Sequence, residues 1–260
     1  MHEIAEKLRE TRKFRDLSGE TLEAIAEWAA ARYAGREAVK AAKRKLHQVY
    51  GAYIEAVDIP RVEALAAGLP EHPDAETVKS VCREILAMHA GTAERLPYME
   101  EIYPRLFAGL PEVRRVADVG CGLHPFARPW MGLPDETYYL AIDINCRLTE
   151  TIDAFFPRAG YHGAGECRDP LRRPLEGRWD VVLLLKTLPC FEQQEKGASR
   201  KLLGVIDARR IVVSFPAKSL GGREKGMREH YRAFIEELMP ISEVIETENE
   251  TYYISDGNDG

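Results

Sequence analysis

The chain has 260 residues, 45% of them apolar and 30% charged, with a formal net charge of −6. A chain of this length forms one large domain or a core domain with a smaller one, and the composition excludes a disordered or fibrous protein. No run approaches the length of a membrane span, and Met1-His2-Glu3-Ile4 opens without the apolar core of a signal peptide, so a cytoplasmic protein with no membrane partner is expected.

The first part of the chain, residues 1–105, reads as helices only. Residues 21–28 place apolar side chains at helical spacing, with Ser18 positioned as a cap. Over 39–53, Val39, Leu46, Val49 and Tyr50 share one face, and Lys40, Lys43, Arg44 and Lys45 lie largely elsewhere. A third helix is predicted over 75–96, stopping before Pro97, with Gly68-Leu69-Pro70 and Pro73 as punctuation. From Arg114 the period changes. Short apolar runs at 116–119, 138–142, 181–185 and 211–213 suit buried parallel strands, and helical stretches after Pro125 and over 146–156, 192–206 and 224–239 separate them. Two closing runs, 241–246 and 251–255, predict an antiparallel hairpin at one edge. The expectation is an α/β doubly wound sheet over 106–260, preceded by a helical unit.

The five cysteines, Cys82, Cys121, Cys146, Cys167 and Cys190, are odd in number, scattered and without a CxxC pair. Reduced thiols are expected, with neither a disulfide framework nor a metal site. The negative net charge weighs against a phosphate-rich partner, yet where the cations sit matters more than their sum. They gather over 9–15, 36–45, 168–178 and 218–228, while acids collect over 243–259. Solvated helix faces also produce such clusters.

Asp118-Val119-Gly120-Cys121-Gly122 closes the first strand, where glycines permit a tight turn and close approach of backbone to a ligand. Pro125 stands where a dinucleotide site has its third glycine, which weighs against NAD and suits S-adenosylmethionine, a ligand with no pyrophosphate to cradle. Asp143 ends the second strand about 20 residues later, where an acid hydrogen-bonds ribose hydroxyls. Asp169 is placed to accept from an adenine amino group, or to act as a helix cap. This order of elements is that of a class I S-adenosylmethionine-dependent methyltransferase. Ile144 and Leu185, at the ends of the second and fourth strands, join the cofactor-binding set, as does Arg115 or its neighbour Arg114 for the cofactor carboxylate.

Further along, Ser214-Phe215-Pro216 leaves an apolar strand and runs through Ser219-Leu220-Gly221-Gly222-Arg223 to Lys225-Gly226-Met227, a cationic, glycine-containing loop suited to gripping phosphates. With Lys45-Leu46-His47, Gly51-Ala52-Tyr53, the run from His89 to Leu96, Gly120-Cys121-Gly122-Leu123-His124-Pro125, and Lys186-Thr187-Leu188-Pro189 followed by Glu192, the chain resembles a known family. These are the aminoglycoside-resistance methyltransferases that modify N7 of a decoding-site guanine of 16S rRNA in the assembled 30S subunit. The resemblance runs from about Val39 to the end and implies a helical ribosome-docking domain over 1–105 and a methyltransferase domain over 106–260. The sequence departs from the family pattern at His124 (usually Asn), at Ala217-Lys218 (usually Thr-Arg), at Glu224 and in its acidic C-terminus.

The resemblance also assigns roles. His89, Thr92 and Arg95 resemble residues that close over the cofactor, S-adenosylhomocysteine being the product. Lys186 resembles a lysine near the target base, or is a strand-end lysine that reaches water; Glu192 organises that region or begins its helix; and Ser214 and Met227 belong to the matched loop motif, Met227 as an apolar prop. Arg223, Lys218 and Lys225 fall to phosphate contacts, and the cation clusters of the helical unit offer Arg12, Lys13, Lys40, Lys43 and Arg44 for docking on 16S rRNA. A monomer acting on the 30S subunit, with no DNA partner, is expected. Guanine N7 carries an in-plane lone pair and needs no general base, so positioning, together with flipping of the base, is the task. Three rivals stand beside this reading. Pro189-Cys190 could supply the nucleophile of a cytosine-C5 methyltransferase, the helical unit could be the lid of a small-molecule methyltransferase, or the chain could be a ribosome-binding protein that has lost its cofactor.

Overall fold

The computed structural model describes residues 2–54, 57–217 and 226–257. Five apolar runs lie side by side as a parallel sheet: β1 (Arg115–Val119), β2 (Tyr138–Asp143), β3 (Gly163–Cys167), β4 (Arg178–Leu185) and β5 (Asp207–Pro216). The closing hairpin, β6 (Glu243–Glu246) and β7 (Glu250–Asp256), adds two antiparallel strands, giving the order β3-β2-β1-β4-β5-β7-β6. The chain reverses its direction of winding between β1 and β4, and such a switch point opens a crevice at the carboxyl ends of the strands. The register aligns those ends, with Val119 opposite Ile142, Leu185 opposite Ser214 and Asp143 opposite Cys167.

The chain is helical up to the sheet: α1 (His2–Arg9), α2 (Gly19–Ala30), α3 (Gly35–Ile54), α4 (Ile59–Ala67), α5 (Ala75–Leu86), α6 (Ala90–Ala93) and α7 (Met99–Phe107). Ser18 caps α2 as its sequence position predicts, its hydroxyl accepting from the Thr21 N–H at 3.2 Å. The helix predicted over 75–96 is instead interrupted, because His89 is extended (φ −127°) and its ring caps α6 through the Gly91 N–H. After the sheet begins come α8 (Cys146–Arg158), α9 (Leu188–Gln194), α10 (Ala198–Leu203) and α11 (Met227–Glu236). The helix predicted over 192–206 divides into α9 and α10 at Gly197, whose φ of +82° no helix interior tolerates. The stretch after Pro125 is a 3-10 segment, His124–Trp130, which carries prolines at both Pro125 and Pro129.

Apolar packing divides the molecule in three. One face of the sheet shares a core with α4, α5, α7 and α8 through Val62, Ile85, Tyr103, Val116 and Phe155. The other face packs Ala117, Val119 and Val213 against α9, α10 and α11. Helices α1–α3 have a core of their own, built on Leu8, Phe14, Leu22, Ile25, Leu46 and Tyr50. The helical front is thus two bodies, and its later half belongs to the sheet.

The expectation of five reduced thiols is corrected. Cys146 and Cys167 form a disulfide with a Cα separation of 4.7 Å. The β2–β3 register sets Cys167 opposite Asp143, and Cys146 starts α8 three residues after Asp143, so strand pairing brings together two cysteines far apart in sequence. No helix among the described residues is long and apolar enough to cross a membrane.

Candidate functional site

A cavity with about 900 Å³ of empty space, open mouth included, lies where β1, β2 and β4 end. Its floor is the turn after β1, where Gly120 and Gly122 have φ of +70° and +50°. A Cβ on Gly120 would stand 2.3 Å from the Thr187 methyl, so only glycine lets this turn lie against the turn after β4. Asp143 enters from β2. Its Oδ2 accepts from the Gly122 N–H and its Oδ1 from the Asn145 N–H, each at 2.9 Å, which fixes the carboxylate at the cavity wall. Burial raises the pKa of this carboxyl above the usual carboxylate range, against the pull of those backbone donors. Ile144, Leu123, Pro170, Leu185 and Phe191 supply apolar walls, and His89 and Lys186 stand on the lining as well. An acceptor for a diol, an apolar slot for a flat base, a glycine turn and a cationic end are the features a sulfonium nucleoside needs, so the residues present fit the cofactor read from the sequence. Of the predicted cofactor set, Gly120, Gly122, Asp143, Ile144, Leu185 and His89 meet here.

The other members point elsewhere, each for a visible reason. Asp118 is buried with Oδ2 accepting from His124 Nδ1 at 2.7 Å and Tyr139 OH at 2.9 Å, so it braces the turn from behind. His124, at the position where the family usually has Asn, gives Asp118 this partner and packs its ring 5.4 Å from that of Tyr103. Arg115 begins β1, at the end of the strand remote from the cavity, and stacks on Trp179 at 4.2 Å while donating to the Arg178 carbonyl. Thr92 donates to the Leu86 carbonyl at 2.6 Å and ties α6 to α5. Asp169 has Oδ2 accepting from Thr21 Oγ1 at 3.1 Å and Gln194 Nε2 at 2.9 Å, and Oδ1 accepting from the Leu171 N–H at 2.9 Å. It anchors loops beside the cavity rather than facing it; its neighbour Pro170 forms the lining.

At the cavity's other end the chain builds a buried ionic cluster. Lys186 follows β4 with φ +60°, the one non-glycine positive φ among the described residues. Such a conformation costs about 1–3 kcal/mol and persists only where the surroundings impose it. Here the Lys186 N–H donates at 3.0 Å to both the carbonyl and the hydroxyl of Ser214. The ammonium pairs with Glu94 and lies 3.2 Å from Glu250 Oε2. Glu250, 1% exposed, also receives Arg95 in a two-pronged contact at 2.8 and 2.7 Å and the Ser214 hydroxyl. Burial is the largest single influence and opposes its ionisation, but Arg95, Lys186 and the Ser214 hydroxyl together outweigh it and take its pKa down to about 2. Arg95 therefore binds Glu250 in place of the cavity, and Ser214 acts on the same carboxylate. Glu192 accepts from the Gly197 and Ser199 N–H groups at 2.8 Å each, so it holds the turn after α9 and caps α10.

A family described as Ribosomal RNA methyltransferase (FmrO) matches residues 10–241. The chain belongs to this family. Among the similar proteins, a 16S rRNA (guanine(1405)-N(7))-methyltransferase of Micromonospora echinospora is 38% identical over 88% of this chain and 85% of its own. One of the same description from Serratia marcescens is 32% identical over 91% of this chain and 88% of its own. The crystal structure of the 16S rRNA methyltransferase RmtF with S-adenosyl-L-homocysteine superposes with a TM-score of 0.82 at 30% identity, covering 98% of each chain.

For a member of an rRNA methyltransferase family, the placement of cations matters. Arg12, Lys13, Lys40 and Arg44 are exposed and Lys43 is partly so, on α3 and the turn after α1. Lys218, Arg223 and Lys225 lie outside the described residues, and Met227 opens α11 directly after them. Sequence reasoning missed Glu250, Glu94, Gln194 and Leu17. For Glu250 a signal was present, an acid at the head of an apolar β run, since a carboxylate entering a core needs a cation.

Proposed function

We propose that this chain transfers a methyl group from S-adenosylmethionine to N7 of the decoding-site guanine of 16S rRNA in the assembled 30S subunit, as a cytoplasmic monomer, and so confers aminoglycoside resistance. The observation that carries the reading is the cavity with a carboxylate, Asp143, at one wall and a cation, Lys186, at another, in a chain of this family. The sulfonium supplies an electrophilic methyl, and N7 supplies its own lone pair. Asp143 would hold the ribose diol, and the glycine turn would admit the amino-acid part of the cofactor. Lys186, aimed by its left-handed backbone and partly neutralised by Glu94 and Glu250, would orient guanine O6 at the cavity edge. Exposed cations of α1–α3 would meet rRNA phosphates, with Lys218, Arg223 and Lys225 beside the flipped base.

The test is transfer of labelled methyl to purified 30S subunits, with naked 16S rRNA and tRNA in parallel and 7-methylguanine-selective cleavage to locate the product. Label at one decoding-site guanine, seen only with intact subunits, is expected; label on free rRNA or tRNA alone would overturn the substrate assignment. Cys190 lines the cavity, which gives the covalent cytosine-C5 reading a geometric candidate. Cys190→Ala is expected to retain methyl transfer, and complete loss with correct folding would favour that rival.

A further inference from the structure

Three loops build the nucleoside end of the cavity: residues 144–146 after β2, 168–171 after β3, and α9 after β4. The α1–α3 body, although it has its own core, holds all three. The arm between α1 and α2 runs antiparallel along the first loop: Leu17 bridges Asn145, the Ser18 N–H donates to the Ile144 carbonyl, and the Cys146 N–H donates to the Asp16 carbonyl, the last two at 2.7 Å. On the second loop, Thr21 Oγ1 donates to Asp169 Oδ2 at 3.1 Å, and Glu20 accepts from the Asp169 N–H at 2.9 Å. The third is reached from α3, where the Tyr50 hydroxyl donates to the Gln194 side chain and Lys45 to the Gln193 carbonyl. Gln194 in turn donates to Asp169, which closes a continuous chain Thr21–Asp169–Gln194–Tyr50. Among the described residues, Leu17 and Tyr50 are the α1–α3 side chains on the cavity lining.

We propose that the α1–α3 body completes the cofactor site: Leu17 and Tyr50 contact the bound nucleoside, and Thr21 is a positioning residue that sets this wall through Asp169 and Gln194. The inference rests on the reading that this cavity holds S-adenosylmethionine. A methyltransferase sheet alone would leave that side open, and a body whose surface cations are assigned to RNA would also carry part of the cofactor's apolar wall. It explains why Asp169, placed by sequence order at the base, spends its carboxylate on Thr21 and Gln194.

The experiment is calorimetric titration of the full chain with S-adenosylhomocysteine and with 5′-methylthioadenosine, which retains only the nucleoside end. Leu17→Ala removes apolar contact and is expected to weaken both ligands by about fiftyfold, and Leu17→Val, one methylene shorter, by about fourfold. The milder variant keeps the test available should Leu17→Ala not fold. Thr21→Val, which keeps the shape and deletes the donor, is expected to weaken both ligands by about fivefold, and Thr21→Ser to restore parent affinity. A purely structural role would lower the melting temperature and leave ligand affinity of the folded protein unchanged; that result overturns the proposal. Asp143→Ala separates the two readings. If it leaves S-adenosylhomocysteine binding intact, the assignment of the cavity itself falls. If it abolishes binding while the Leu17 and Thr21 variants bind as the parent does, only the contribution of α1–α3 falls.

Discussion

Replacing Glu250 with glutamine probes the ionic cluster at the Lys186 end of the cavity. The substitution keeps size and removes one charge, leaving Arg95, 5% exposed, without its counter-ion and Lys186 with Glu94 alone. Breaking a buried pair by neutralising one partner costs about 3–5 kcal/mol, because the remaining charge is desolvated without compensation. An independent route gives a similar figure: a carboxyl whose pKa falls from an ordinary 4.5 to about 2 on folding contributes ~3 kcal/mol by linkage. In a chain of this size such a loss lowers the melting temperature by about 10 °C. The sign with pH is fixed. A folded-state pKa below the unfolded value stabilises fully above the unfolded value, and the benefit disappears as pH falls towards about 2. Urea denaturation of parent and Glu250→Gln protein at a series of pH values measures both quantities. The gap between them is expected to be largest at neutral pH and to close through the acid range. Ser214→Ala, which removes a single donor to the same carboxylate, is expected to cost only about 1 kcal/mol. A Glu250→Gln gap below about 1 kcal/mol, the range of exposed ion pairs, or one independent of pH, would refute the reasoning.

Asp143→Ala is expected to weaken S-adenosylmethionine binding by about a hundredfold, two charge-assisted hydrogen bonds being lost. Because burial raises this carboxyl's pKa, parent affinity is expected to fall as pH is lowered through that elevated value, a dependence calorimetry should find absent in the variant. Alkylation of the denatured but unreduced protein followed by mass spectrometry is expected to label Cys82, Cys121 and Cys190 but neither Cys146 nor Cys167; labelling of all five would remove the disulfide. Its reduction is expected to cost roughly 3 kcal/mol in a denaturation experiment, given the loop it closes. Reversing charge at Lys43 and Arg44 is expected to weaken 30S binding about tenfold and reduce its salt slope by about two, without changing cofactor affinity. Unaltered subunit binding would remove α3 from the interface.

What the sequence made legible was local. The strands, the glycine turn and Asp143 could be read because each depends on neighbours a few residues away: apolar runs, positive φ, the end of a strand. Roles that depend on distant partners were not legible. Asp169 receives Thr21 from 148 residues away, and Arg95 meets Glu250 across 155, so neither pairing leaves a trace in spacing. Arg115 was misplaced for a related reason: the residue lies in the right strand but at the wrong end, which only the direction of β1 relative to the cavity decides. The disulfide depended on a strand register, and Glu192 on a helix break at Gly197 that turns two backbone N–H groups toward it.

The position of Glu250 at the head of the last strand has a consequence for how the protein comes into being. In chain order Arg95 and Lys186 come long before Glu250, and the β6–β7 hairpin must dock against β5 to bring that carboxylate in. Until then Arg95 lacks its counter-ion, and Lys186 has Glu94 alone. Truncation before residue 250 would therefore remove the carboxylate on which Arg95 and the Ser214 hydroxyl converge.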